Sequence, residues 1–190
     1  MSLAVSSGGL KLEKGLSHFE LDVTGFIGVD VGSSTGGFTD VLLQNGAAKV
    51  FSVDVGQGQL DWKLRNDDRV VVMEKTNARH LTEEHIPDPI DIVVCDASFI
   101  GLRTVLPASL ERVKPGGYVI ALIKPQFEVG KERVGKKGVV REPELHQEVC
   151  DTISEWLGNL PGWDVLGIAT SPITGPEGNV EFLIGGRKSA

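Results

Sequence analysis

The chain has 190 residues, 41% of them hydrophobic, which fits one globular domain with a single core. A formal charge of −7 excludes a general affinity for nucleic acid over the whole surface, so any RNA contact has to be focused on a local basic patch. No apolar run approaches the roughly 18 residues of a membrane span, and Cys95 and Cys150 form no redox or metal pattern, so the expected setting is cytoplasmic, with reduced thiols and no metal.

Residues 1–24 read as a lead segment with a short amphipathic helix, in which Leu10, Leu12, Leu16 and Phe19 recur at near-helical spacing. The start at Met1-Ser2-Leu3 suggests that natural sequence upstream has been trimmed. Residues 25–190 then alternate in β and α patterns. Phe26 to Val31 is an apolar, β-branched run, and Thr39 to Asn45 a helical pattern ended by Gly46, so Gly32 to Gly37 is the turn between strand and helix. Further strands are expected at Lys49 to Asp54, Arg69 to Met73 and Ile90 to Asp96, with a helix over Gly58 to Arg65. A helix from Leu102 to Val113 precedes the breaker Lys114-Pro115-Gly116-Gly117 and the strand Tyr118 to Ile123. Glu128 to Arg141 has the composition of a mobile basic loop, followed by a helix from Pro143 to Leu157. Trp163 to Thr170 and Val180 to Ile184 read as a closing hairpin. Right-handed crossovers make this an α/β, Rossmann-like, doubly wound sheet of seven strands, mostly parallel, with one antiparallel edge strand.

In such sheets ligands sit at the carboxyl ends of the strands, where Asp30, Asp54, Asp96 and Lys124 fall. The spacing Gly-x-x-x-Gly-Gly differs from the Gly-x-Gly-x-x-Gly of dinucleotide binders and points to S-adenosylmethionine more than to NAD. Asp54 lies where an acid from the second strand reaches ribose hydroxyls, although a strand-end cap explains it too. Asp30 either orients the turn or merely ends a strand; Asn77 either reads an adenine or forms an Asx-turn. Lys124 ends an otherwise apolar strand, where the plain alternative is a snorkelling lysine, and Glu181 on its own reads as the solvent side of a strand.

Five stretches together carry a more specific signal: Gly8 to Lys14, Asp30 to Thr39, Ala121 to Glu128, Gly135 to Arg141 and Ser171 to Asn179. Through them the chain resembles the TlyA/hemolysin A family, whose catalytic domain is similar to FtsJ-like ribose 2′-O-methyltransferases. The resemblance implies a Lys-Asp-Lys-Glu tetrad at Lys11, Asp96, Lys124 and Glu181. It also implies an S-adenosylmethionine pocket formed by Asp30, Gly32, Ser33, Ser34, Thr35, Gly36, Gly37, Phe38, Asp54, Val55, Asn77, Ala78 and Asp96. The implied reaction is methyl transfer to a ribose 2′-hydroxyl, on cytidine of small- and large-subunit ribosomal RNA. Lys124 then serves as base, or, where acids keep it charged, orients the hydroxyl and stabilises the developing alkoxide. Lys131, Arg133, Lys136, Lys137 and Arg141 are expected to contact RNA phosphates; a solvated charged loop is the alternative. The family commonly has arginine where this chain has Ser7, and an S4-like RNA-binding module upstream that this sequence does not contain. The family name raises a second class, a pore-forming haemolysin, against which stand the missing span and signal; a catalytically silent RNA-binding module is a third.

Overall fold

The computed structural model describes residues 5–189. In chain order it contains α1 (Ser7–His18), β1 (Ile27–Val31), α2 (Gly37–Gln44), β2 (Lys49–Val53), α3 (Trp62–Arg65), β3 (Val70–Met73), β4 (Ile90–Cys95), α4 (Leu102–Val105), α5 (Pro107–Glu111), β5 (Val113–Ile123), α6 (Pro125–Glu128), α7 (Pro143–Asn159), β6 (Trp163–Thr170) and β7 (Phe182–Lys188). The strands form one sheet in the order β3-β2-β1-β4-β5-β7-β6. The first five run parallel, and β7 pairs antiparallel with both β5 and β6. The closing hairpin thus forms one edge of the sheet, with its antiparallel member one place inward.

Successive strand residues point to opposite faces, so one sheet supplies two cores. Val29, Val31, Val93, Cys95, Val119 and Ala121 pack under α4, α5 and α7. Val50, Ile92, Val94, Ile120, Leu122 and Leu183 pack under α1 and α2. The lead helix is therefore part of the core: Leu12 is fully buried and Leu16 nearly so. It starts where the Ser6 hydroxyl accepts from the Gly9 N–H at 3.1 Å, and its end is keyed to the sheet by the Phe19 ring.

Four expectations are corrected. The helix expected over Gly58 to Arg65 is the single turn of α3, because Gly58 takes φ +74° and Asp61 caps the turn by accepting from the Lys63 N–H at 2.9 Å. The helix from Leu102 to Val113 is split by Pro107, which has no N–H to continue α4 and opens α5 instead. The breaker at Lys114-Pro115-Gly116-Gly117 is absorbed into β5: Ile90 pairs with Val113, and the ladder resumes at Ile92 with Tyr118, the bulge turning at Gly116 with φ +87°. The last strand begins at Phe182 rather than Val180, which leaves Glu181 in the turn just ahead of it.

Among the described residues no helix is long and apolar enough to cross a membrane, and no group of three His, Cys, Asp or Glu side chains is placed to hold a metal.

Gly185 lies directly beneath Phe19: a Cβ there meets the ring at 2.9 Å. Gly185→Ala is expected to lift the end of α1 off β7 and to cost about 1–3 kcal/mol, as overpacking does. Urea denaturation measures this; an unchanged midpoint would show that α1 is not keyed to the sheet there.

Candidate active site

Strand order reverses between β1 and β4, and the carboxyl ends of these two strands open a crevice. The turn after β1 is pinned to β2: Gly32 and Ser33 donate their N–H groups to the Val53 carbonyl at 2.9 and 3.0 Å, and Ser34 donates to Asp54 Oδ2 at 2.6 Å. Asp54 Oδ1 also accepts from the Gly56 N–H at 2.8 Å, so this carboxylate organises two turns at once. Gly32 is required, since it sits at φ +79° and a Cβ would come within 2.7 Å of the Asp96 carbonyl. The absent side chain lets the β1 and β4 turns touch.

Two cavities share this wall. One of about 470 Å³ is lined by Gly32, Val53, Asp54, Val55, Asn77, Ala78 and Asp96, together with Phe99 and Ile100. Apolar walls, two carboxylates and the side-chain amides of Asn77 and Gln59 suit a nucleoside, and the volume falls in the usual range for small ligands. Asn77 Oδ1 is engaged in an Asx-type cap with the Arg79 N–H at 3.0 Å, so its Nδ2 is the group left to face a ligand. The second cavity, about 330 Å³, is lined by Ser6, Ser7 and Gly8 of the lead segment and by Gly32, Ser33, Ser34, Thr35, Gly37, Phe38 and Asp96. Gly36 is in neither; it faces α3, where a Cβ would overlap Leu64 and Leu60.

Asp30 does not sit with the other expected pocket residues. It is fully buried behind the turn and lines neither cavity. Its Oδ2 accepts from the Thr39 N–H at 3.1 Å and from Thr39 Oγ1 at 2.7 Å, while Oδ1 has no partner among the described residues. It ties α2 to β1 and sets the path of the turn. Burial pushes this carboxyl up to about 7, with the negative charges of Asp96 and Asp54 adding to the rise against the lowering effect of the Thr39 bonds.

Lys11, Asp96, Lys124 and Glu181 converge at the same edge of the sheet. Ile123 pairs with Phe182, so Lys124 and Glu181 leave adjoining strands side by side. Lys124 Nζ lies 2.5 Å from Asp96 Oδ1 and donates to Ser98 Oγ at 3.1 Å. Lys11 Nζ, brought over the sheet by α1, lies 2.8 Å from Glu181 Oε1. The side chains of Lys11, Lys124 and Glu181 are 11%, 8% and 0% exposed; Asp96 at 26% is the member that also lines both cavities. Glu181 is thus a buried partner and not the solvent face of a strand.

Of the basic residues, Lys131, Arg133, Lys136, Lys137 and Arg141 are all exposed. The segment is not a loose loop, however. It forms two short 3-10 turns, Lys131–Arg133 and Lys136–Gly138, and then buries Val139 and Val140. The Asn179 side chain accepts from the Val140 N–H at 3.0 Å and donates to the Gly138 carbonyl at 3.0 Å, and His146 Nε2 lies 2.8 Å from the Val140 carbonyl. Arg133 is paired with Glu148 at 2.6 Å.

Sequence reasoning missed Gln59, Ser98, Phe99, Ile100 and Gln126. Phe99 carried a usable signal, a large aromatic just past a strand that ends at the switch point; it is 89% exposed, takes φ +65° and lies against the Phe127 ring at 5.0 Å. Glu128 ties these two turns together by accepting from the Leu102 N–H at 2.8 Å, and burial raises its carboxyl above the usual carboxylate range. Gln59 carried no such signal, and Gln126 had only its place in the stretch Ala121 to Glu128.

This strand order, with a glycine turn and a second-strand acid at its switch point, defines an S-adenosylmethionine-dependent methyltransferase fold. The chain belongs to the FtsJ-like methyltransferase family, whose pattern matches residues 4–188. It is 50% identical to YqxC of Bacillus subtilis over 181 residues, 95% of this chain and 64% of that protein. It is 49% identical to the 16S/23S rRNA (cytidine-2′-O)-methyltransferase TlyA of Mycobacterium tuberculosis, covering 95% of this chain and 67% of that one. A solved structure of a hemolysin-named protein from Streptococcus thermophilus superposes with a TM-score of 0.93 at 47% identity, over 100% of this chain and 69% of that one. The chain thus spans about two thirds of the length of these relatives.

Because the folded Asp30 carboxyl is raised to about 7 from an unfolded value of about 3.9, the native state holds a proton that the unfolded state has lost. Its contribution to stability is fully present below pH about 4 and is lost as pH rises through about 7. Thermal melts across that window are expected to show a steeper loss of stability in the wild type than in Asp30→Asn; parallel curves would exclude Asp30 as the titrating group.

Proposed function

We propose that this protein transfers a methyl group from S-adenosylmethionine to a ribose 2′-hydroxyl of ribosomal RNA, on cytidine as the name of the M. tuberculosis relative states for that protein. The observation that carries the reading is the position of Asp96, which lines both cavities and pairs with Lys124. A ligand on the turn side and an acceptor on the lysine side then meet across one carboxylate.

Asp54 and Asn77 hold the nucleoside part of the cofactor, with Val53, Val55, Ala78 and Ile100 as its apolar walls. When bound, the cofactor supplies an electrophilic sulfonium methyl group. The chain has to place a weakly acidic hydroxyl in line with that group and manage its proton. Within the Lys124–Asp96 pair the hydroxyl proton would be taken by Lys124 in its neutral form, or by Asp96 while Lys124 stays charged, in which case Lys124 orients the hydroxyl oxygen and offsets its negative charge. Either way, loss of the methyl group would leave the cofactor as the neutral thioether. Lys11 and Glu181 form the second half of the tetrad and fix the floor beneath Lys124. The exposed cations Lys131, Lys136, Lys137 and Arg141 meet RNA phosphates, with Arg133 already paired to Glu148. An enzyme of ribosomal RNA with these parts works in the cytoplasm.

Labelled S-adenosylmethionine and ribosomal RNA test the reading directly. Label is expected in ribose, and Lys124→Ala is expected to lower turnover by about 10²–10⁴-fold, the usual worth of a positioned acid–base group. Label in a base and not in ribose would overturn the assigned acceptor; full turnover by Lys124→Ala would overturn the role of Lys124. Dye leakage from liposomes by the protein without cofactor would favour the pore-forming alternative instead.

A further inference from the structure

We propose that Gln126 is a positioning residue for methyl transfer: its side-chain amide holds the Glu181 carboxylate against Lys11 and ties that ion pair to the turn that carries Lys124. The inference rests on the tetrad reading above. Glu181 is 1% exposed; its Oε1 accepts from Lys11 Nζ at 2.8 Å, and its Oε2 accepts from Gln126 Nε2 at 3.4 Å. On the remaining side the carboxylate lies against Gly175, where any Cβ would overlap it. Gln126 stands two residues past Lys124, on α6, whose path continues into the basic segment. Its amide therefore links the Lys11–Glu181 pair with the element that presents the Lys124–Asp96 pair.

The orientation of the amide follows from charge. Turned over, its carbonyl oxygen would face a carboxylate oxygen, and both are acceptors, so the donor end has to point at Glu181. The consequence is visible at the other end: Gln126 Oε1 is buried and has no partner among the described residues. A buried acceptor without a donor is destabilising, and a methionine of similar volume at this position would avoid it. Local rules broken inside a folded chain concentrate where function requires them, and the group served here is a tetrad carboxylate. Without the amide, Glu181 keeps only its bond to Lys11 and the pair is free to tilt, while the 470 Å³ cavity, which Gln126 does not line, is untouched.

Two variants separate this role from packing. Gln126→Met keeps the volume and removes the donor; Gln126→Glu keeps the shape and sets a second acceptor against Glu181. With labelled cofactor and ribosomal RNA, Gln126→Met is expected to lower kcat on the order of 100-fold, as misplacement of a reacting group does, and Gln126→Glu to lower it further. KM for RNA and calorimetric affinity for S-adenosylmethionine stay at wild-type values in both variants. Tm is held in Gln126→Met, where removal of the unpartnered Oε1 offsets the lost bond to Glu181, and falls in Gln126→Glu, which sets two carboxyl groups together. Wild-type kcat in Gln126→Met, beside an active wild type, overturns this inference alone; a rise in KM in place of a fall in kcat assigns Gln126 to substrate contact and overturns it too. A wild type without ribose methylation overturns the tetrad reading and this inference with it. Independently of activity, side-chain amide exchange in ¹⁵N-labelled protein is expected to be slower for Gln126 than for the exposed Gln57, and to accelerate in Glu181→Gln. Equal exchange at the two glutamines overturns the hydrogen bond itself.

Discussion

Taking Lys11 and Glu181 out of water is the most demanding step in building this molecule, because each ion loses its hydration and regains only what its partner and neighbouring donors return. The pair is assembled from opposite ends of the chain, 170 residues apart, and so exists only once the sheet is complete. That requirement explains features that otherwise look unrelated. α1 has to cross the sheet with Lys11 facing inward, which Leu12 and Leu16 enforce by filling the core under α2. Its far end has to stop at a fixed place, which Phe19 on Gly185 ensures. β7 has to run antiparallel next to β5, so that its first residues come to the edge where Lys124 emerges.

The second ion pair is built on easier terms. Asp96 keeps contact with solvent through the cavities, and Lys124 gains a further acceptor in Ser98. The two pairs therefore differ in kind: one is sealed and fixes geometry, the other faces the two cavities at the switch point. Asp30 supplies a second buried acid of a different sort, held by Thr39 and serving the path of the glycine turn rather than anything bound within it.

Much of this was legible in the chain because the governing interactions are local or periodic. Val29, Val31, Val93 and Val94 announced parallel strands buried on both faces, and Gly32 together with Asp54 marked the switch-point turn through spacing alone. What stayed hidden depends on distant partners. Nothing near Asp30 reveals that Thr39 and a closed core stand between it and the crevice. The alternation of Val180, Phe182 and Ile184 suggested an exposed Glu181, whereas β7 begins two residues later, at Phe182, and Lys11 approaches from the N-terminus. The basic run from Lys131 looked loose because composition reports charge, and composition is silent about one asparagine some forty residues away.

That asparagine has an evolutionary consequence. Asn179 grips the basic segment almost wholly through main-chain groups, the Val140 N–H and the Gly138 carbonyl, while also reaching back to the Pro176 carbonyl. Main-chain grips do not depend on which side chains the segment carries. Apart from Arg141, which donates to the Lys136 carbonyl at 3.4 Å, and Arg133, which is paired with Glu148, the outward residues of 131–141 have no part in holding their own backbone, so charge at Lys131, Lys136 and Lys137 can change while the course of this rim stays the same. A scaffold of this type separates the charge of a surface rim from the architecture of the fold.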